Sequence, residues 1–115
     1  MTRKPVVSLL TAAALAAGLA FAAASPASAV PCGTKDTSTT IDGGKAGYTL
    51  FCTGRNRSSL SGWVEDTRID GKCAYLRIEP RTGSPFLRKA CDYGTRKNFH
   101  ADLDSDSAAI RLYIA

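Results

Sequence analysis

His100 is the only histidine in the chain, and it limits the acid–base chemistry that the domain can perform. A ribonuclease uses a base, an acid and cations around the phosphate, and the chain contains these residue types as Glu65, Glu79, Arg77 and His100. No characteristic spacing links them. Alternation along the segment directs His100 to solvent on the same side as Asp102. A serine hydrolase is disfavoured too, because a G-x-S-x-G motif is missing and no residue that would orient His100 is identifiable.

Three aspartates repeat at intervals of two residues, as the first oxygen ligands of an EF-hand calcium loop do. They are Asp102, Asp104 and Asp106. The rest of that loop does not follow, because Ser107 occupies the position of the required glycine and Tyr113 that of the bidentate glutamate. A polar hairpin turn accounts for these aspartates, so we expect neither a metal ion nor a cofactor.

The cysteines are four in number, an even count that suits an exported disulfide scaffold: Cys32, Cys52, Cys73 and Cys91. Zinc is disfavoured because its ligands commonly come in C-x-x-C pairs, whereas these cysteines are 20, 21 and 18 positions apart. Four cysteines allow three pairings, and the sequence does not decide rigorously between them. We favour Cys32 with Cys52 and Cys73 with Cys91, since each pair closes a loop of about 20 residues.

The first 29 residues have the organisation of a secretory signal peptide. Two basic residues precede an uncharged run rich in Ala and Leu, which leads to an A-x-A cleavage site ending at Ala29. An uncleaved membrane anchor is the alternative, but alanine is weakly apolar, and Pro26 followed by small residues suits the peptidase. We therefore expect residues 1–29 to be removed and residues 30–115 to form one extracellular domain.

The domain that remains after cleavage is small and mildly basic. A domain of this size buries about 60 to 65% of its unfolded surface, so we expect disulfides to support a marginal core. The full chain has a net charge of +5, and its positive and negative residues are interspersed. This pattern is typical of a solvated surface and disfavours a dedicated nucleic-acid or anionic-lipid face. We expect a monomer that is free of the membrane after cleavage.

Seven segments alternate apolar and polar residues between turn signals, and helical periodicity is missing. They cover residues 37–41, 48–53, 60–66, 73–79, 86–91, 98–103 and 108–114. The polar stretch 54–59 is predicted to be a loop or an exposed turn. Alternation in the fourth segment places Ala74, Leu76 and Ile78 on one face, and the fifth segment is expected to pair back on the fourth. Six or seven short strands predict an antiparallel β-sandwich or small barrel held by two disulfides.

Trp63, the only tryptophan, lies on the face of its strand opposite Val64. It shares a face with Tyr75 if the third and fourth strands pair in register. Packing of Trp63 in the core between two sheets is the favoured interpretation. The alternative is an exposed aromatic patch, flanked by Arg68 and Arg77, of the kind that stacks on sugars or anchors in a partner's pocket. The candidate binding surface therefore consists of Trp63, Tyr75, Arg68 and Arg77.

Two motifs in the second half of the chain carry a resemblance. Residues 64–74 follow the pattern V-x-D-T-x-x-D-G-x-C-A, and residues 90–95 follow A-C-x-x-G-T. This resembles a family of small uncharacterised secreted proteins from actinomycetes. The resemblance implies a secreted β-sheet domain, supports a bond between Cys73 and Cys91, and implies no activity.

A weaker similarity concerns size and architecture alone. The chain is similar to the actinomycete α-amylase inhibitors, which are small exported β-proteins with two disulfides. Those inhibitors use an exposed Trp-Arg-Tyr triplet, whereas Val64 and Glu65 follow Trp63 here, so no inhibitory residue is carried over. We expect a non-enzymatic module that binds an extracellular macromolecule, with an inhibitor of an extracellular hydrolase as its sharpest form. A small secreted enzyme such as a ribonuclease, or a structural component of the cell surface, is the alternative.

Processing provides the first prediction. Export in an actinomycete host should yield a protein that begins at Val30, because the A-x-A site places the cut after Ala29. Intact mass spectrometry of the protein from the culture medium measures this directly. Retention of Met1 and the apolar run would contradict it.

Overall fold

A computed structural model describes residues 24–115 of the protein. Its eight strands are β1 (Ser28–Pro31), β2 (Thr34–Ile41), β3 (Gly44–Gly54), β4 (Arg57–Asp66), β5 (Ala74–Pro80), β6 (Phe86–Ala90), β7 (Arg96–Leu103) and β8 (Ser107–Ile114). They form two antiparallel sheets, sheet I with the order β1-β8-β5-β6 and sheet II with the order β2-β3-β4-β7. The predicted all-β fold with two disulfides is confirmed, with eight strands rather than six or seven.

The core is the apolar layer between the two sheets, and strand alternation builds it. Each strand directs every second side chain inwards. The largest fully buried apolar side chains are Leu50, Leu60, Val64, Leu76, Ile78 and Leu112. The predicted alternation in β5 is confirmed, because every second residue from Ala74 to Ile78 is buried. The outer faces of both sheets are left with the polar and aromatic residues between these positions.

Tight turns join β2 to β3 and β3 to β4. In the first turn Gly43 has a φ of 102°, and in the second Asn56 has a φ of 55°. Glycine and asparagine are the residues that adopt such left-handed conformations most readily. For the stretch 54–59, the structure has the exposed turn rather than the loop, and the turn is shorter than predicted because β4 begins at Arg57. Local turn chemistry therefore extends both strands further than their apolar patterns indicate.

The chain changes sheet after β4, which overturns one assumption of the sequence analysis. The β4 strand pairs with β3 and β7, whereas β5 pairs with β6 and β8. The third and fourth predicted strands are therefore not neighbours. The expected return of β6 onto β5 is confirmed, with Ala74 opposite Ala90.

Tyr48 is buried on the inner face of sheet II, opposite Gly62 of β4. A Cβ atom on Gly62 would lie 2.9 Å from the Cβ atom of Tyr48, which is closer than real Cβ atoms approach. That atom would come closer still to the carbonyl oxygen of Gly47, so the backbone of β3 requires a glycine here as much as Tyr48 does. Burial raises the pKa of the Tyr48 phenol, because desolvation penalises the phenolate form.

The β1 strand has no counterpart among the predicted strands, because it begins within the predicted leader. Val30 of β1 is buried opposite Ala108 of β8. Before β1, the Ser25 amide donates a hydrogen bond to the Leu112 carbonyl at 2.8 Å. The predicted cleavage point after Ala29 therefore lies inside β1, and most of the predicted leader lies outside the described residues. No helix in the described part of the chain is long and apolar enough to cross a membrane.

Both predicted disulfides are confirmed. Cys32 is bonded to Cys52 and Cys73 to Cys91, with Cα–Cα distances of 5.0 and 4.4 Å. The first bond ties the β1–β2 turn to β3, so it joins the first strand of sheet I to sheet II. The second bond closes the open end of the β5–β6 hairpin. The two bonds thus stabilise opposite parts of a small sandwich.

Removal of the second disulfide tests its contribution to stability. We expect Cys73→Ser combined with Cys91→Ser to lower the free energy of unfolding by about 3 kcal/mol, because a short loop is no longer closed in the unfolded chain. Urea denaturation followed by circular dichroism measures the loss. Cys32→Ser with Cys52→Ser is the matched comparison and should lose a similar amount, since its loop has nearly the same length. A loss below about 1 kcal/mol for either variant would contradict the chain-entropy explanation.

Candidate functional site

The predicted binding surface is divided between the two outer faces of the sandwich. Trp63 lies on the outer face of sheet II, since its neighbour Val64 is buried in the core. Tyr75 and Arg77 lie on the outer face of sheet I for the corresponding reason. The four predicted residues therefore do not form one surface. The assumption that β4 and β5 pair is the source of the error.

Arg68 belongs to neither face. It lies in the β4–β5 loop and forms an ion pair with Asp42 in the β2–β3 turn. Its amide donates a hydrogen bond to Asp66 Oδ1 at 3.1 Å, and the Lys72 amide donates to Asp70 Oδ1 at 2.9 Å. Both aspartates thus act as turn residues, because each carboxylate accepts a hydrogen bond from an amide two positions further along the chain. This ion pair and these turns explain Arg68 as a residue that stabilises one end of sheet II.

Trp63 does not pack between the sheets, which corrects the favoured interpretation. The indole lies against the backbone of Gly47 on β3, where a Cβ atom would approach the ring to 2.7 Å. The Arg96 guanidinium lies over the ring, 3.6 Å from its centroid, and its Nε atom donates a hydrogen bond to Glu65 Oε1 at 2.9 Å. The faces of the ring are thus occupied by the protein itself. A sugar could stack on Trp63 only after Arg96 had moved away.

A shallow groove of about 390 Å³ lies beside Trp63 on the same face. Phe51 lies at its border and is 48% exposed, and hydroxyl groups of Ser38, Thr49 and Ser61 line it. Sequence reasoning missed Phe51, although alternation with the buried Leu50 was a usable signal. The groove offers hydroxyl groups and aromatic edges, which is a surface for weak polar contact.

His100 has a polar cluster around it that sequence reasoning missed. Ser61 Oγ lies 2.9 Å from Nδ1, Ser59 Oγ lies 3.2 Å from Nε2, and Asp102 Oδ1 lies 3.3 Å from Nε2. Asp102 is therefore the orienting partner that the sequence did not reveal. The prediction that His100 faces solvent is confirmed, because its side chain is 61% exposed and that of Asp102 is 85% exposed.

The solvent exposure of this cluster makes it poorly suited to catalysis. A serine hydrolase holds its aspartate buried and provides donors for the oxyanion of the intermediate. Here the Asp102 carboxylate is in water, where its effect on the imidazole is strongly screened. The residues around His100 lie in the pairing of β4 with β7, where Ser61 is opposite His100 and Ser59 is opposite Asp102. The arrangement is therefore that of a hydrogen-bonded surface cluster.

The residue types of a ribonuclease are not brought together. His100 and Glu65 lie on the outer face of sheet II, and the carboxylate of Glu65 is bonded to Arg96. Arg77 and Glu79 lie on the opposite sheet and pair with each other at 3.3 Å. A phosphate could not contact a base, an acid and a cation from this set at the same time.

The three aspartates that resemble a calcium loop are also separated. Asp102 contacts His100, while Asp104 and Asp106 form ion pairs with arginines of other segments, at 3.5 and 3.1 Å. Within residues 24–115, no group of three His, Cys, Asp or Glu side chains could hold a metal ion. The aspartates therefore act as ion-pair partners of the surrounding loops.

The outer face of sheet I carries a different combination of residues. The rings of Tyr75 and Tyr113 stack at a centroid distance of 5.2 Å and an interplanar angle of 9°. In the strand register, Lys89 lies opposite Tyr75, and Arg77 lies opposite both Arg111 and the exposed Leu87. We call this surface the tyrosine–arginine face, defined by Tyr75, Tyr113, Arg77, Arg111, Lys89 and Leu87. It retains two of the four predicted residues and adds four that depend on the strand register.

Comparison with known proteins adds no functional assignment. No protein-family model matches the chain, and no curated protein or solved structure matches it. The similarity to small actinomycete proteins therefore stays an expectation. The function must be argued from the two outer faces.

The contact between Trp63 and Gly47 is testable by substitution. We expect Gly47→Ala to lower the free energy of unfolding by about 1 to 3 kcal/mol, because the new methyl group displaces the indole and the guanidinium above it. Tryptophan emission should shift to the red as the ring becomes more solvated. Gly54→Ala is the matched control, because a Cβ atom there meets only side-chain atoms at 3.8 Å. Equal effects of the two substitutions would contradict the packing described here.

Proposed function

We propose that this protein is an exported, non-enzymatic module that binds an extracellular macromolecule through the tyrosine–arginine face. The observation that carries the proposal is the stacked pair Tyr75–Tyr113 beside the opposed arginines Arg77 and Arg111. Tyrosine and arginine are the residue types, together with tryptophan, that contribute most to binding at protein surfaces. A rigid sheet holds them in place, so little conformational entropy is lost on binding.

The state of the other face supports this choice. On sheet II, Trp63, Arg96 and Glu65 satisfy one another, and the His100 cluster is internally hydrogen-bonded. On sheet I, only Arg77 of the three cations has an ion-pair partner among the described residues, namely Glu79. Groups that lack a partner within their own protein have more to gain from a ligand. The tyrosine–arginine face is therefore the better binding surface.

A compartment outside the cell is part of the proposal. The leader in the sequence and two disulfides in a domain of this size are compatible with an oxidising environment. An inhibitor of an extracellular hydrolase is one form of such a module. A small secreted enzyme is the competing function, and the separation of its required side chains argues against it.

Tyrosine nitration provides a footprint of the proposed surface. The exported protein is treated with tetranitromethane in buffer and again in concentrated medium from its own culture, and nitrated tyrosines are quantified by mass spectrometry. Tyr75 and Tyr113 should be protected several-fold in the medium. Tyr93 is the internal control, because it is 62% exposed on the β6–β7 loop, does not belong to the tyrosine–arginine face, and should react equally in both conditions.

Two outcomes would overturn the proposal. Equal nitration of Tyr75 and Tyr113 with and without the medium would mean that nothing in it covers the face. Equal protection of all three tyrosines, with the reagent kept in excess, would mean that the face is not the specific binding surface. The medium is then passed through a membrane that retains macromolecules. Absence of protection in the filtrate, together with protection of Tyr75 and Tyr113 in the retained fraction, would support the proposal.

A further inference from the structure

We infer that the macromolecule bound by the tyrosine–arginine face is an anionic polysaccharide. This inference rests on the proposed function and specifies its ligand. Three cations, Arg77, Lys89 and Arg111, lie on this face, and Glu79 is the carboxylate that accompanies them on the outward positions of β5. Charge complementarity therefore calls for a ligand with several negative charges.

The cross-strand pair Arg77–Arg111 is the strongest element of the argument. The two residues lie directly opposite each other in the β5–β8 register. Like charges in this position destabilise a sheet, because their Cβ atoms are only about 4.5 to 5.5 Å apart. Glu79 lies 3.3 Å from Arg77 and offsets one of the two charges. An anionic group bound between the arginines would remove the remaining repulsion and accept hydrogen bonds from both guanidinium groups.

The arrangement extends this anion site into a row that a polymer could follow. Lys89, Tyr75 and Tyr113 occupy neighbouring positions across β6, β5 and β8, next to the row formed by Leu87, Arg77 and Arg111. A polymer broad enough to cover both rows would thus meet Arg77 and Arg111 on one row, and Lys89 with the two phenol groups on the other. Tyrosine hydroxyls donate and accept hydrogen bonds, which matches the hydroxyl groups of sugars.

The stacking geometry favours a polysaccharide over single-stranded nucleic acid. Nucleic-acid-binding sheets gain about 1 to 3 kcal/mol for each base that stacks on an open aromatic ring. Here the two rings are parallel within 9° and cover one face of each other. Each ring has at most one face left for a base. Hydroxyl and edge contacts with sugars do not need an open ring face.

The test uses dextran sulfate as the anionic polysaccharide and neutral dextran as its uncharged counterpart. Binding of the exported protein to each immobilised polymer is measured by biolayer interferometry. The protein should bind dextran sulfate and not dextran. If all three cations contact the polymer, raising the salt from 50 to 200 mM should weaken binding by about 20-fold, through release of counterions.

A pair of double variants separates the face from the overall charge. Lys89→Gln with Arg111→Gln removes two cations from the face and should weaken binding to dextran sulfate by about tenfold or more. Lys35→Gln with Arg55→Gln removes two exposed cations from sheet II and its turn, and should leave binding nearly unchanged. All four side chains are exposed, so neither variant should lower the unfolding midpoint of the parent protein, and Arg111→Gln should raise it slightly by removing the repulsion of Arg77.

The outcomes distinguish this inference from the proposed function. Equal losses for the two variants would show that net charge alone drives binding, and tighter binding of poly(dT) than of dextran sulfate would assign the face to nucleic acid. Either result overturns the inference, as does equal binding to dextran. If the protein does not bind dextran sulfate while the culture medium still protects Tyr75 and Tyr113 from nitration, the proposed function stands and the inference of an anionic polysaccharide is wrong. If neither binding nor protection is found, both fail.

Discussion

The apolar layer between the two sheets is the constraint on which the rest of this structure depends. A domain of this size has one thin core, and inward-facing residues of β3, β4, β5 and β8 supply most of it. The side chains of this buried cluster are apolar apart from the phenol group of Tyr48. Chemistry is therefore confined to the outer faces and the loops, and a strand residue that contacts a partner must do so from an outward position.

Strand alternation is a local property, and it could be predicted from the sequence. The apolar positions of β5 and β8 lie where the pattern places them, and both disulfides join the expected cysteines. Two features of the fold were not predicted correctly. The length of the turn at Asn56 was overestimated, because polar residues continue from the turn into β4. The β1 strand begins at Ser28, within the residues that have the pattern of a leader. Those residues are assigned to the leader from the sequence, which therefore predicts no strand there.

The functional surface was less predictable because it depends on which strands are neighbours. Alternation showed that Trp63 and Tyr75 point away from their apolar neighbours, but it could not show that they lie on opposite sheets. The contact of His100 with Asp102 is local, yet those with Ser59 and Ser61 require the β4–β7 register. Long-range pairing of this kind is not encoded in any short pattern of residue types.

Charge shows most clearly how a fold can create a surface that the sequence does not display. Along the chain the cations are interspersed with acidic residues, which is typical of a solvated surface. Folding places Arg77 opposite Arg111 and Lys89 opposite Tyr75, although these residues come from three separate strands. On sheet II the same process places Arg96 beside Glu65 and so neutralises it. The strand register thus gives one face paired charges and the other a surplus of cations, and the second arrangement is the one that an anionic ligand would stabilise.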